Sequence, residues 1–320
     1  MAGWPAGQGF HQDVLSTPLP PSPLRLPEPG IPTIGLTIGD PAGIGPEVIR
    51  KALRDPQLPR GFRYRVIGDA SGVVPGKPSR LSARKALAAL EESVRLWKAG
   101  EISAIVTGPV QKENLAAIGF EFPGQTEFFA ARCGTRREPV MVLTDPKLTV
   151  ALVSTHCSLR NAVRRLSAPK IVRVARETDL FLRQLGIRRP RLALAGVNPH
   201  AGENGLFGDE EAGILKPALA AARRAGLDVE GPFSPDTIFH RATKKKEFDA
   251  VICMYHDQGL IPFKLLAFAS GVNVTLGLPL IRTSPDHGTA LDLAGKNKAD
   301  ASSMAASIRL AGRLVRAGRQ

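Results

Sequence analysis

Aromatic residues make up only 5% of the 320-residue chain, and this scarcity limits what the chain can recognise. Single-stranded nucleic acid is held by stacking on aromatic platforms, and no nucleic-acid-binding motif stands in for them here. A nucleic-acid partner is therefore not expected, despite a formal net charge of +14 and a pI near 10.2. Cysteine is scarce too. Cys133, Cys157 and Cys253 are widely spaced, odd in number and form no CxxC. That pattern argues against a disulfide framework and fits a reducing cytoplasm. No run approaches the roughly 20 apolar residues of a membrane span, and no basic start precedes an apolar core, so neither a membrane anchor nor a signal peptide is expected. Three common signatures are also missing. GDPAGIGPE (residues 39–47) is neither a GxGxxG nor a GxxxxGK[ST] loop, and no HExxH occurs.

What is present is an alternation of strand and helix patterns. Residues 1–30 stand apart: Pro5, Pro18, Pro20, Pro21, Pro23, Pro27 and Pro29 fall here without periodicity, which predicts a disordered tail. From residue 33 onward, short apolar runs read as strands: TIGLTI (33–38), YRVIG (64–68), SAIVTGPV (103–110), VMVLT (140–144), LTVALVST (148–155), RLALAGVN (191–198), DAVICM (249–254) and VNVTLGLP (272–279). Helical periodicity marks residues 83–99, 167–185, 209–224 and 301–317, with Ser82 and Ser167 placed as caps and Pro46 at the start of a helix after the glycine-rich loop. Asp145, Pro146 and Lys147 make a hairpin turn. This spacing predicts an α/β fold, a mostly parallel sheet with helices on both faces.

The chemistry gathers where strands end. His156 follows LTVALVST, His200 follows RLALAGVN, and His256 follows DAVICM. In open α/β sheets, ligands bind beyond the carboxyl ends of strands. Three imidazoles from separate loops suit zinc, cobalt, iron or manganese and leave a position open for substrate. Each histidine taken alone is as well explained by structure; it is the shared placement that points to one metal site. YHDQGLIPFK (255–264) reads as a loop after its strand and ends in Lys264. With Arg282 and Asn273 it offers a point charge, a guanidinium fork and an amide, a set suited to phosphate or carboxylate. The basic charge balance agrees with an anionic small molecule.

These segments in this order resemble the 4-hydroxythreonine-4-phosphate dehydrogenase family of pyridoxal phosphate biosynthesis. The matching stretches are TIGDPAGIGPEV (37–48), VTGPV (106–110), GQTEFFA (124–130), NPHAGENGLFGDEE (198–211), YHDQGLIPFK and GVNVTLGLPLIRTSPDHGTALDLAGK (271–296). The resemblance implies an isocitrate/isopropylmalate dehydrogenase-like fold of two α/β/α domains with mostly parallel sheets and the active site in the cleft between them. Residues 31–122 plus 283–320 would form the cofactor side, and residues 123–282 the metal, substrate and dimerisation side. It implies an NAD-dependent enzyme, with NADP as the alternative, requiring zinc, magnesium or cobalt. By the same resemblance His156, His200 and His256 are metal ligands in a site shared across a homodimer. Gln125, Thr126, Lys264, Asn273 and Arg282 contact substrate; Lys264 and Asp236 act near the metal; His287, Gly288 and Asp292 bind cofactor. The implied reaction oxidises 4-phosphooxy-L-threonine to a β-keto acid that loses carbon dioxide. Two departures bear on the substrate: Gln125 stands where the family has histidine, and STHCSLR (154–160) where THIPLR-like sequence is usual. They keep open a sister dehydrogenase acting on an erythronate- or threonate-type four-carbon acid phosphate, or on a carboxylated cis-diol.

Overall fold

The computed structural model describes residues 30–135 and 138–319; the expected proline-rich tail lies outside the described residues. Ten strands form one sheet: β1 (Thr33–Thr37), β2 (Arg63–Ile67), β3 (Ala104–Thr107), β4 (Val140–Asp145), β5 (Leu148–Leu152), β6 (Leu192–Ala195), β7 (Val229–Phe233), β8 (Ala250–Cys253), β9 (Val272–Leu276) and β10 (Ile281–Pro285). Their order is β2-β1-β3-β10-β9-β4-β5-β8-β6-β7. Pairing is parallel except where β9 meets β10 and β4, and where β4 meets β5. The sheet is therefore mostly parallel, as the alternation of patterns predicts, and Asp145–Lys147 does close an antiparallel hairpin.

The helices are α1 (Gly45–Ala52), α2 (Arg80–Lys98), α3 (Lys112–Ala116), α4 (Gln125–Arg132), α5 (Leu159–Arg164), α6 (Ala168–Gln184), α7 (Lys216–Arg224), α8 (Ile238–Thr243), α9 (His256–Ala267) and α10 (Ser302–Ala317). Strands β3, β5, β6 and β8 are buried along their whole length, as expected of strands covered on both faces, which read as continuous apolar runs rather than alternating ones. Edge strand β2 is different. Its Arg63 and Arg65 are exposed, and charge on an edge discourages pairing with another chain.

Three local expectations are corrected. The segment after β8 is not a loop: helix α9 begins at His256 itself. Gly259 and Pro262 disguise it in the sequence, but Gly259 is there for packing. A Cβ on it would lie 2.9 Å from Leu152 Cδ2 and 3.1 Å from Cys253 Sγ, so its absence lets α9 settle on β5 and β8. Helix α2 starts a turn before Ser82. Ser79 is the N-cap, accepting from Ser82 N at 3.2 Å while Ser82 Oγ accepts from Ser79 N at 3.0 Å, a capping box. A further strand, β10, follows VNVTLGLP; its polar sequence IRTSP concealed it.

The glycine-rich loop between β1 and α1 is a packing device. A Cβ on Gly45 would sit 1.9 Å from Ile38 O. The loop also bonds to the segment after β10, with Ile44 N donating to Thr289 O at 2.9 Å. Gly45→Ala is expected to destabilise by about 3 kcal/mol, the upper end for overpacking, because the obstacle is backbone. A lowered urea midpoint at unchanged slope would show it; an unchanged midpoint would contradict the tight crossing.

Candidate active site

Strands β5, β8 and β6 are parallel neighbours, so His156, His256 and His200, which follow them, come from one edge of the sheet. The structure brings the first two together. The His156 and His256 rings lie 5.8 Å apart between centroids and share an open hollow of about 510 Å³ with Thr155, Ser158, Tyr255 and Asp257. Burial first, then the Lys112 charge, holds the His156 imidazole below its usual pKa, with Glu127 opposing. It is thus neutral near pH 7, the form that ligates a metal. His256 Nδ1 lies 2.6 Å from Asp257 Oδ1, an arrangement that fixes ring orientation and leaves Nε2 outward.

His200 opens instead into a second hollow of about 590 Å³, lined by Glu203, Asn204, Glu211 and Lys216. Asp236 is on this side: it is exposed, accepts from Ser234 Oγ at 2.6 Å, and is held below the usual carboxylate range by that bond, with a smaller effect from His200. Among the described residues, no three His, Cys, Asp or Glu side chains converge closely enough to hold a metal ion. The donors present still fit one chemically: two imidazoles face a shared hollow, and a third, His200, lines the second hollow.

That loop is unusual. His200, Ala201, Gly202, Glu203 and Asn204 all have positive φ, from 39° to 77°, a left-handed turn that costs non-glycine residues roughly 1–2 kcal/mol each. Glu211, 3% exposed, holds it. Its Oε1 accepts from Val197 N at 2.7 Å and Asn198 N at 2.8 Å, and its Oε2 from Asn198 Nδ2 at 2.9 Å. Gln258 ties this region to the start of α9: Oε1 accepts from Met254 N and Nε2 donates to Gly196 O, both at 2.6 Å.

Two of the predicted substrate contacts, Thr126 and Asn273, gather at a third, the buried cation of Arg282. Arg282 on β10 is 4% exposed; its guanidinium lies 5.7 Å from the Phe129 ring centroid and hydrogen-bonds to hydroxyls, Nη1 donating to Thr126 Oγ1 (3.1 Å) and Thr275 Oγ1 (2.8 Å), Nη2 to Thr107 Oγ1 (2.9 Å). Burial pushes its pKa down to about 10, with Glu127 opposing, so it stays charged at neutral pH. Its Nε has no partner among the described residues, nor does Asn273 Oδ1. Because Arg282 pairs with Thr275 and Ser284 with Asn273, Asn273 projects from the same face of the hairpin. Gln125 Nε2 donates to Gly108 O at 3.1 Å, and its Oε1 is buried without a donor. Lys264 on α9 reaches Asp286 twice, at Oδ2 (2.9 Å) and at the backbone O (2.7 Å). Burial raises the Asp286 pKa, with Lys264 opposing.

On the cofactor side, His287 Nδ1 lies 3.0 Å from Gly288 O, and its Nε2 is buried without a partner. Nothing would meet a Cβ on Gly288 within 4 Å, and Asp292 is exposed. An orphan ring nitrogen beside open backbone suits a bound nucleotide. Sequence reasoning did not single out Glu127, Glu211, Gln258 or Asp286. Gln258 and Asp286 sit inside quoted motifs, where a polar residue beside an assigned histidine was the available signal. Glu211 closes the quoted stretch 198–211, but its partners lie 13 and 14 positions away, so its role as a clamp is not legible there.

Glu211 yields a pH prediction. Burial opposes its ionisation most strongly, yet the bonds from Asn198 and Val197 outweigh this and hold its pKa below 4.5. A lowered folded pKa contributes stability above the unfolded value that fades as pH falls through the folded one. Glu211→Gln is therefore expected to cost about 2 kcal/mol at pH 7. The gap from wild type in urea unfolding should narrow as pH falls below about 4.5; a gap independent of pH would contradict it.

The model of the family described as pyridoxal phosphate biosynthetic protein PdxA matches residues 50–311. A 4-hydroxythreonine-4-phosphate dehydrogenase of Geobacter metallireducens is 41% identical over 327 residues, covering 89% of this chain and 96% of that protein. A D-threonate 4-phosphate dehydrogenase of Salmonella typhimurium is 43% identical, covering 88% of this chain and 99% of that one. The crystal structure of a 4-hydroxythreonine-4-phosphate dehydrogenase from Klebsiella pneumoniae matches with a TM-score of 0.74 at 40% identity, over 89% of this chain and 99% of that one. A β-decarboxylating dehydrogenase from Thermococcus kodakarensis shares the fold, with a TM-score of 0.52 at 16% identity. The family match spans most of the chain and the relatives align nearly end to end, so the chain belongs to the PdxA family of pyridoxal phosphate biosynthetic proteins.

Proposed function

We propose that the protein is a cytoplasmic, NAD-dependent and divalent-metal-dependent 4-hydroxythreonine-4-phosphate dehydrogenase. It oxidises 4-phosphooxy-L-threonine to a β-keto acid that decarboxylates to 3-amino-2-oxopropyl phosphate, a step toward pyridoxal 5'-phosphate. The observation that carries the reading is the buried Arg282 cation, whose hydrogen bonds among the described residues go to threonine hydroxyls and whose Nε is left for an anion to complete. Residues 31–122 with 283–320 serve the cofactor and residues 123–282 the metal and substrate. NADP remains the alternative cofactor.

When bound, a divalent metal lowers the pKa of a substrate hydroxyl, and an oxidised nicotinamide accepts a hydride at its carbon 4. His156, His256 and His200 hold the metal, with Asp257 orienting His256 and Asp236 lying beside His200. Arg282, Thr126 and Asn273 grip the phosphate end, with Gln125 at its border. Lys264 helps move the hydroxyl proton, directly or through a water, and Asp286 holds the Lys264 ammonium in place. His287, Gly288 and Asp292 receive the nucleotide, the carboxylate at Asp292 favouring NAD over its 2′-phosphate analogue.

The metal site is completed across a homodimer. Its support is twofold: the third histidine opens away from the other two within one chain, and α9, which starts at His256, exposes an apolar stripe. Ile261, Leu265 and Phe268 are 68%, 85% and 73% exposed and lie at helical spacing. The double substitution Ile261→Glu, Leu265→Glu is expected to yield monomers in sedimentation analysis; a persistent dimer would place the interface elsewhere.

A second reading is favoured by Gln125 and by the Salmonella relative: oxidation of D-threonate 4-phosphate or a similar acid phosphate. The deciding experiment measures NADH formation from both compounds with added zinc, magnesium or cobalt, together with metal content of wild type and of His156→Ala, His200→Ala and His256→Ala. Each variant is expected to lose bound metal and about 1,000-fold or more in kcat/KM, in line with removal of groups that act as a unit. Metal content unchanged in all three would sink the assignment.

A further inference from the structure

The glycine-rich stretch GDPAGIGPE ends in a buried carboxylate that the proposed chemistry does not use. Glu47 lies in the first turn of α1 and is 9% exposed. Carboxylates are seldom buried unless they are paired, and most of the partners here lie far along the chain. Glu47 Oε1 accepts from Ala299 N at 2.9 Å and from Lys51 Nζ at 2.8 Å, and Oε2 accepts from Asn297 N at 3.2 Å. Lys51 faces the same stretch and meets its carbonyls, donating to Asn297 O at 2.9 Å and to Ala299 O at 2.8 Å. Two side chains one turn apart on α1 thus satisfy both the donors and the acceptors of a backbone stretch, as a neighbouring strand would.

The clamped stretch is the far end of residues 286–301, which join β10 to α10 without a strand or helix of their own. Long connections of this kind in a compact fold are usually functional, and the near end of this one carries His287, Gly288 and Asp292. There Ile44 N donates to Thr289 O at 2.9 Å, and a Cβ on Gly43 would lie 2.8 Å from the same oxygen. The glycine-rich stretch therefore fastens the connection twice, at Thr289 and again at Asn297 and Ala299. Asp292 is exposed between the two fastenings. Ala290 and Asn297 have φ of 39° and 56°, a region that non-glycine residues seldom occupy unrestrained.

This inference rests on the cofactor assignment proposed above. We propose that Glu47, with Lys51, is a positioning residue for the dinucleotide: it fixes the far end of the connection and so keeps His287, Gly288 and Asp292 in their binding arrangement before the nucleotide arrives. When the competent arrangement is populated only part of the time, apparent affinity falls by that fraction. The rest of the site is held independently. His156, His200 and His256 follow other strands, and Asp286, which holds Lys264, has its own fastening through a bond from its N to Ser303 Oγ at 3.2 Å.

The test titrates NADH, followed by its fluorescence, into full-length wild type, Glu47→Gln and Lys51→Met, with NADPH in parallel. It also measures kcat and both KM values with whichever acid phosphate the wild type oxidises. Each variant is expected to raise the Kd for NADH and the KM for NAD about 10-fold. The kcat at saturating NAD, the KM for the acid phosphate and the bound metal should stay within about 2-fold of wild type. A lowered urea midpoint with unchanged NADH affinity means that Glu47 only braces the fold, and overturns the inference. Equal losses of nucleotide affinity, acid-phosphate affinity and bound metal overturn it as well. Should Glu47→Gln fail to fold, Lys51→Met, at a side chain 27% exposed, decides by the same readings. Wild type that binds neither NADH nor NADPH overturns the cofactor assignment together with the inference; binding that is equally tight in wild type and variants overturns the inference alone.

Discussion

A guanidinium buried among hydroxyls is the constraint around which this molecule is arranged. Taking a cation out of water costs several kcal/mol even after relaxation, and neutral hydrogen bonds return only about 1 kcal/mol each. Arg282 donates three such bonds and meets no carboxylate among the described residues. Its partners come from β3, β9 and α4, so the charge can be held only if the middle of the sheet and the start of α4 are already in place. The fold supplies the missing stability elsewhere. One continuous apolar cluster joins Ile34 and Leu36, with α10 packed beside them, to Leu192 and Val229 at the other end of the sheet. An anion bound at Arg282 would stabilise the folded state by mass action, which couples substrate binding to the rigidity of the sheet's centre.

A second local cost lies at the His200 loop, where consecutive left-handed residues persist because the surroundings over-determine them. Glu211 does most of this by accepting from two successive backbone amides. Gln258 performs the matching task on the other side, joining Met254 to Gly196. The two clamps make the ends of β6 and β8 one unit. The histidines they carry then differ in direction rather than in firmness, one toward His156 and the other away from it.

How far the sequence discloses this depends on how far each residue's partners lie along the chain. Strands covered on both faces, such as β3, β5 and β8, read as continuous apolar runs, so most of the sheet was visible, and the three histidines stood out because each follows such a run. The edge of legibility is instructive at α9. Gly259 and Pro262 say loop by local preference, yet the glycine is there because Leu152 and Cys253 leave no room for a side chain. Strand β10 was hidden for a related reason: Arg282, Thr283 and Ser284 are polar yet buried, since their partners are hydroxyls and backbone from β3, β9 and α10. Glu211 and Asp286 escaped notice because each serves a distant residue. Motif resemblance reached the residues that would touch ligands, and it passed over those that hold them still.

Helix α9 gathers the consequences. Its first residue faces His156, its outward stripe is apolar, and Lys264, at the flank of that stripe beside Phe268, is held by Asp286, just beyond β10. A rigid helix cannot shift one of these without the others. Displacing the stripe by an ångström would move the His256 ring relative to His156 and pull the Lys264 ammonium from Asp286. A second protomer seated on that stripe would therefore fix metal geometry and substrate geometry in a single step.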